Sequence, residues 1–222
     1  MAFFFYAGII LAVADWIAVA QDARTVPWIT RPGTLLAILL WFTTATPATS
    51  DPRITWFTLA LCFSLVGDIF LLMGGHQIIK GGLSFILAHV AFVVAYNIPL
   101  QIPAMFYGIF ILNLIPTIVI FREIIGVIKK EGDKDLVWGV SLYALVLTCM
   151  SSTALTTLFR PEWGGLAAWL TAGGALLFYA SDLLLFFDRF VRPRPRAQLI
   201  VMISYHLAQF ALTYGYLWFL YS

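Results

Sequence analysis

Charge is what this sequence has least of. Lys, Arg, Asp and Glu together make up 11% of its 222 residues, against about 25% in soluble domains, while 62% are hydrophobic. A soluble core of this size has nowhere to hide so much apolar surface, whereas a bilayer accepts it once every backbone group is bonded within a helix. Cysteine is scarce as well. Cys62 and Cys149 are the only two, both inside apolar runs and without CxxC spacing, so neither a disulfide framework nor a redox motif is present; they read as packing residues. The three histidines show no HExxH or HxxxH spacing. A Gly-x-Ser-x-Gly elbow and a Walker loop are also missing, which disfavours the usual serine hydrolase and nucleotide-driven pump. The net charge of +2 is scattered over short loops rather than gathered with aromatic residues, so no nucleic-acid partner is implied.

Long apolar runs are what the sequence has in plenty. A span needs about 20 apolar residues, fewer when the helix is buried among others. Eight are expected, at about residues 2–20, 32–46, 54–73, 82–98, 104–121, 136–159, 163–187 and 199–221. That makes an all-α, polytopic membrane protein, an eight-helix bundle in one domain over residues 1–222. The apolar start lacks a basic segment and a small-residue cleavage site, so it reads as a retained first span. Pro32 suits a first helical turn, and Pro47, Pro52, Pro99, Pro103 and Pro161 mark breaks.

Basic residues orient the bundle. The loops between spans 1 and 2, 3 and 4, 5 and 6, and 7 and 8 hold eleven of the thirteen Lys and Arg, with only Arg53 and Arg160 on the other side. Both termini are therefore expected outside, and those four loops in the cytoplasm. Trp56, Trp163 and Trp218 then fall at the outer interface, with Trp28 and Trp138 at the inner one.

Against this background two carboxylates stand out. Asp68, in Phe63-Ser64-Leu65-Val66-Gly67-Asp68-Ile69-Phe70, and Asp182, in Phe178-Tyr179-Ala180-Ser181-Asp182-Leu183-Leu184, sit inside spans, where an ionisable group is costly and functional by default. Each lies five residues before the cytoplasmic end of its span, a depth of roughly 8 Å. His89, His206 and Asp15 arrive at nearly the same level, as do Tyr143, Ser181 and Tyr205. Together they read as the lining of one cytoplasm-facing cavity. Two carboxyl groups in low dielectric cannot comfortably both ionise, so one becomes an acid and the other a base. That division suits an oxocarbenium-like transition state, as in glycoside hydrolysis. Alternatively, each Asp fixes packing by bonding a neighbouring helix. His89 could orient an Asp, relay protons, ligate a metal or bond a backbone carbonyl; Asp15 suits a snorkelling or structural place near the interface. Two Asp and two His could make a metal site, although the spacing does not call for one. Arg189, Arg192, Arg194 and Arg196 either set topology or receive a lipid phosphate. An echo of Asp68 and His89 in Asp182 and His206 is consistent with a parallel duplication.

From Thr30-Arg31-Pro32 onward the chain resembles the YhhN family of multi-span membrane proteins. The resemblance is carried by Gly67-Asp68 with Leu71-Leu72, by Gly82-Leu83, Phe85 and Ala88-His89, by Gly174-Ala175, Phe178, Ser181-Asp182 and Arg189-Phe190, and by Tyr205 and Ala208-Gln209. Arg31 stands where the family pattern usually has Lys, Asp188 where it often has Asn, and His206 where an aromatic residue is expected. The resemblance implies a lysoplasmalogenase, which hydrolyses the vinyl ether of a lysoplasmalogen to a fatty aldehyde and glycerophosphoethanolamine or glycerophosphocholine without a cofactor. On that reading Asp68 and Asp182 are the acid and its partner, and His89 orients the acid or a water. Tyr143, Ser181, Tyr205 and Gln209 hold polar parts of the substrate, and Arg31 meets the phosphate of a single-chain phospholipid. A proton-coupled carrier, a lipid-binding regulator or a metal-dependent lipid hydrolase would show similar buried groups.

Overall fold

The computed structural model describes residues 2–47, 50–99 and 102–221, which form eight α-helices and, among the described residues, no strand. They are α1 (Ala2–Ala20), α2 (Pro27–Ala45), α3 (Pro52–Met73), α4 (Gln77–Tyr96), α5 (Met105–Glu131), α6 (Lys134–Thr156), α7 (Gly165–Phe190) and α8 (Ala197–Tyr221). Six of them, all but α2 and α8, are long and apolar enough to cross a membrane. Helix α1 shows the logic of the rest. Gly8, Ala12, Asp15 and Ala18 are buried along one stripe, at the spacing of a single helix face; Phe5 beside it packs on Trp41 and Phe210, and Phe3, Tyr6, Ile10 and Ile17 point outward.

Several boundaries differ from expectation for local reasons. Helix α2 starts at Pro27, which occupies the first turn, and Pro32 lies inside the helix. Helix α5 runs ten residues beyond the apolar run that ends at Phe121, because Arg, Glu and Lys continue a helix well. It stops only at Gly132, whose φ of 81° suits glycine. The run expected to end at Phe159 leaves the α-helix at Thr156 and closes in two short 3₁₀ turns, Thr157–Phe159 and Pro161–Trp163.

Helices pair in sequence, α1 with α2, α3 with α4, α5 with α6 and α7 with α8, and α6 bridges α4 and α7. The two closest pairs rest on small residues. A Cβ at Gly174 would meet the Leu212 backbone nitrogen at 2.9 Å, and one at Gly81 would sit 3.3 Å from the Gly67 carbonyl oxygen, so side chains there would force the helices apart. Trp163 is a correction to the expected outer belt. It is 1% exposed, with its ring stacked 4.0 Å from Phe219, so it anchors the core.

The two basic residues set apart from the other eleven both have local work. Asp51 caps α3 by accepting from the Arg53 backbone N–H at 2.8 Å and pairs with the Arg53 guanidinium at 2.7 Å. That guanidinium holds the Asp51 carboxyl below the usual carboxylate range. Arg160 donates to the Tyr96 carbonyl at 2.7 Å and to Asn97 Oδ1 at 2.6 Å, tying the 3₁₀ turns to the end of α4.

A second polar cluster ties α5, α6 and α7 together. Tyr179 donates to the Asn113 carbonyl and shares a hydrogen bond with Thr117 Oγ1, both at 2.6 Å; Thr117 also meets Thr148 at 2.9 Å. All its members are partnered, as packing glue between membrane helices requires. Tyr179→Phe should cost about 1 kcal/mol, inside the roughly 0.6–1.7 kcal/mol range of such bonds. A Tm in detergent lowered by a few degrees, with turnover unchanged, is the expected result; lost turnover at unchanged Tm would make this cluster part of the site.

Candidate functional site

Six helix ends surround a cavity of about 270 Å³. The beginnings of α2, α4, α6 and α8 and the ends of α3 and α7 line it, so it opens at one end of the bundle. Its walls are largely apolar, with Leu71, Leu83, Ile86, Val140, Phe186 and Phe190 among them. Polar groups stand at two levels: Asp188, Arg189 and Gln198 near the mouth, and Arg31, Asp68 and Tyr143 deeper.

Asp68 is 2% exposed and presents what surface it has to this cavity. Its Oδ2 accepts from the Tyr205 hydroxyl at 3.1 Å. Arg31, Asp15 and Asp182 all lie within Coulombic reach of it. Arg31 in turn forms a buried ion pair, its Nε 3.6 Å from Asp15 Oδ2, while Asp15 Oδ1 accepts from Thr30 Oγ1 at 2.8 Å. The charge of Arg31 is therefore partly balanced by Asp15, which is 0% exposed.

Asp182 has different company. Its Oδ2 accepts from the Tyr143 hydroxyl at 2.6 Å and lies 3.2 Å from His89 Nε2, a hydrogen bond that the Nε2–H tautomer donates to an ionised carboxylate. Asp182 and His89 stand behind the cavity wall, and of the three only Tyr143 reaches it. Between the two carboxyl clusters stands Phe178, edge-on to His89 at 4.9 Å and to Tyr205 at 5.3 Å. No hydrogen bond joins Asp68 to Asp182, so they form two neighbouring clusters rather than a shared-proton dyad. The pairing is crosswise. The His of α4 serves the Asp of α7, and a Tyr of α8 serves the Asp of α3.

The other expected residues divide. Gln209 is fully buried beside the Tyr205 hydroxyl, without hydrogen-bond geometry to any protein group. Ser181 donates to the Val201 carbonyl at 3.2 Å and so joins α7 to α8 instead of lining the cavity. His206 turns away toward α1, where its Nδ1 accepts from Trp16 Nε1 at 3.0 Å. Depth alone had grouped it with the others; its azimuth on α8 separates it. Among the described residues no three His, Cys, Asp or Glu side chains gather as metal ligands would. Asp188 was marked only as a departure from the family pattern and Gln198 by no motif; both are there because α7 ends and α8 begins at the rim.

Comparison with known proteins identifies the family. The sequence model of the YhhN family matches residues 26–216. The chain is 32% identical over 155 residues to human lysoplasmalogenase TMEM86B, a stretch covering 69% of this chain and 60% of that protein. The mouse protein of the same name is 29% identical over 204 residues, 89% of this chain and 77% of its own length. The pig protein is 31% identical over 151 residues, 68% and 58% of the two lengths. The chain thus spans about three fifths of the human and pig proteins. No solved structure matches it. With six helices of spanning length and composition, it is an integral, multi-pass membrane protein.

Proposed function

The chain belongs to the YhhN family, and we propose that it is a lysoplasmalogenase-like hydrolase, cleaving the vinyl ether bond of a single-chain ether phospholipid with Asp68 and Asp182. One observation carries this reading: a largely apolar cavity, open at one end of the bundle, ends on a carboxyl group with an arginine beside it. A volume of about 270 Å³, just below the ~300–1,000 Å³ of ligand pockets, leaves no room for the two chains of a diacyl lipid. The relatives named lysoplasmalogenase support the same class of reaction.

The chemistry follows from the substrate. A vinyl ether is opened by a proton added to its outer carbon, which leaves an oxocarbenium ion. Asp68, the carboxyl group that touches the cavity, supplies that proton. Asp182, held by Tyr143 and His89, stabilises the cation from behind the wall and fixes the Tyr143 ring at the reacting bond. Water then adds to the carbon beside the ether oxygen and returns its proton to the Asp68 carboxylate. The hemiacetal collapses to a fatty aldehyde and a glycerophospho-alcohol, with one water consumed. Arg31 receives the phosphate, a few bonds from the reacting carbon, and Asp188 and Arg189 meet the head group at the mouth.

In this reading all eight helices cross the membrane, both termini lie outside and the cavity opens to the cytoplasm. A reporter fused after Tyr221 tests this, since one active only outside the cytoplasm should be active there. Activity of a cytoplasm-only reporter at the same place would invert the orientation.

The reaction itself is tested with the purified protein in detergent, given a lysoplasmalogen and its ester-linked analogue while aldehyde and fatty acid are followed in parallel. Aldehyde from the vinyl ether alone, indifferent to a chelator, is the expected result. Loss of activity with chelator would point to a metal-dependent hydrolase. Release of neither product by folded protein would move the assignment to a carrier or lipid-binding protein.

A further inference from the structure

We propose that Gln209 and Thr213 form a buried water-binding site behind Asp68, which stores the nucleophilic water of the hydrolysis on the side away from the lipid cavity. The inference rests on the hydrolase reading above and deepens it. Tyr205, Gln209, Thr213 and Tyr216 follow one another on α8 at intervals of four, four and three residues, and so share one face. At one end of this stripe the Tyr205 hydroxyl donates to Asp68. At the other, the Tyr216 hydroxyl donates to the carbonyls of Ala95 and Arg53. Between them, Gln209 and Thr213 are both 0% exposed; the Gln209 amide lies against the Tyr205 hydroxyl, yet neither of its polar atoms nor Thr213 Oγ1 has hydrogen-bond geometry to any group among the described residues.

Thr213 shares this with Thr171 of α7, whose buried Oγ1 also has no partner among the described residues. The buried hydroxyls of Thr34, Ser64 and Thr148 each donate to the carbonyl four residues back in their own helices; Thr213 does not. A carboxamide offers two donors and an acceptor, and leaving such groups unmet inside a protein costs roughly 1–3 kcal/mol each. Water with two to four polar partners is the usual settlement. None of the four residues of the stripe lines the lipid cavity, and Asp68 stands at the border between the two.

The reaction needs such an arrangement. Once a lipid fills the largely apolar cavity, bulk water has no route to the cation from that side, yet each turnover consumes one water. A water held at Gln209 lies one hydroxyl group, that of Tyr205, from the Asp68 carboxylate. It moves past that hydroxyl, its oxygen bonds to the cationic carbon, and its proton goes to the carboxylate that gave up the first one. No oxidant or reductant takes part. Gln209 is thus a positioning residue, acting through the water.

The test is kinetic. Gln209→Leu keeps the approximate volume and removes the hydrogen-bonding groups. It should lower kcat roughly 10- to 100-fold, the scale of a misplaced reactant, with KM for the lysoplasmalogen within about twofold and Tm not reduced. Gln209→Asn, which keeps the amide, should recover part of kcat. Wild-type kcat in Gln209→Leu overturns the water site and leaves the hydrolase reading intact, whereas absence of aldehyde release by the wild-type protein removes both. If Gln209→Leu fails to fold, Thr213→Val reads the same question: a kcat reduced at unchanged KM supports the site, and a kcat equal to wild type overturns it.

Discussion

Asp68→Asn should lower aldehyde release from a lysoplasmalogen by about 10²- to 10⁴-fold, the contribution of a positioned general acid, while the protein stays folded. The fold should tolerate it because the one hydrogen bond Asp68 accepts in this structure, from Tyr205, can be accepted equally by an amide oxygen. What the amide cannot do is give a proton to carbon. The neighbouring cluster provides the comparison. Asp182→Asn can keep both contacts, because Tyr143 and His89 meet the same carboxylate oxygen and an amide oxygen placed there serves both; what is lost is the negative charge. Its turnover should fall less, by about 10- to 100-fold, because Asp182 acts through the wall. Equal losses at the two sites would mean that both carboxyl groups touch the reacting bond. Wild-type turnover in folded Asp68→Asn would falsify the acid assignment.

The asymmetry between the two carboxyl groups was not legible in the sequence, although their depth was. Hydrophobic runs place a residue along a helix to within a turn, and that sufficed to put Asp68, Asp182, His89, Tyr143 and Tyr205 at one level. Which neighbour each one meets depends on how the helices are rotated and which of them adjoin, and one chain read alone carries little of that. So the sequence pairs Asp68 with His89 and Asp182 with His206 as successive copies, while the structure crosses them, His89 to Asp182 and Tyr205 to Asp68. The same gap explains His206, at the expected depth but facing Trp16. Boundary errors have a different origin. Pro32 reads as a helix start because proline favours the first turn; Pro27, five residues earlier, has the stronger claim and leaves Pro32 inside. The long tail of α5 escaped notice because apolar content marks a span and charged residues extend a helix beyond it.

Arg31 holds an ion pair with Asp15 and, in the proposed reaction, also meets the phosphate; one pair of variants separates the two roles. Asp15 is fully buried, and among the described residues its one charged partner is Arg31. Arg31→Gln therefore leaves a carboxyl group with the Thr30 hydroxyl alone, and breaking a buried pair from one side costs about 3–5 kcal/mol. A large drop in Tm is expected, and activity lost in that variant would be ambiguous by itself. Asp15→Asn combined with Arg31→Gln removes both charges and should regain most of the Tm. If the guanidinium also holds the lipid phosphate, the stable double variant should still bind poorly. Hydrogen bonds to a charged group contribute about 1.5–3 kcal/mol, so its KM should rise by roughly 10- to 100-fold with a much smaller change in kcat, since Asp68, Tyr205 and the Asp182 cluster are untouched. Arg31→Lys should fall between, keeping the charge for Asp15 but losing the planar fork that can grip two phosphate oxygens. A double variant with wild-type KM and restored Tm would confine Arg31 to the ion pair. The phosphate would then have to be met at the mouth, where Arg189 is the cavity-lining cation that remains.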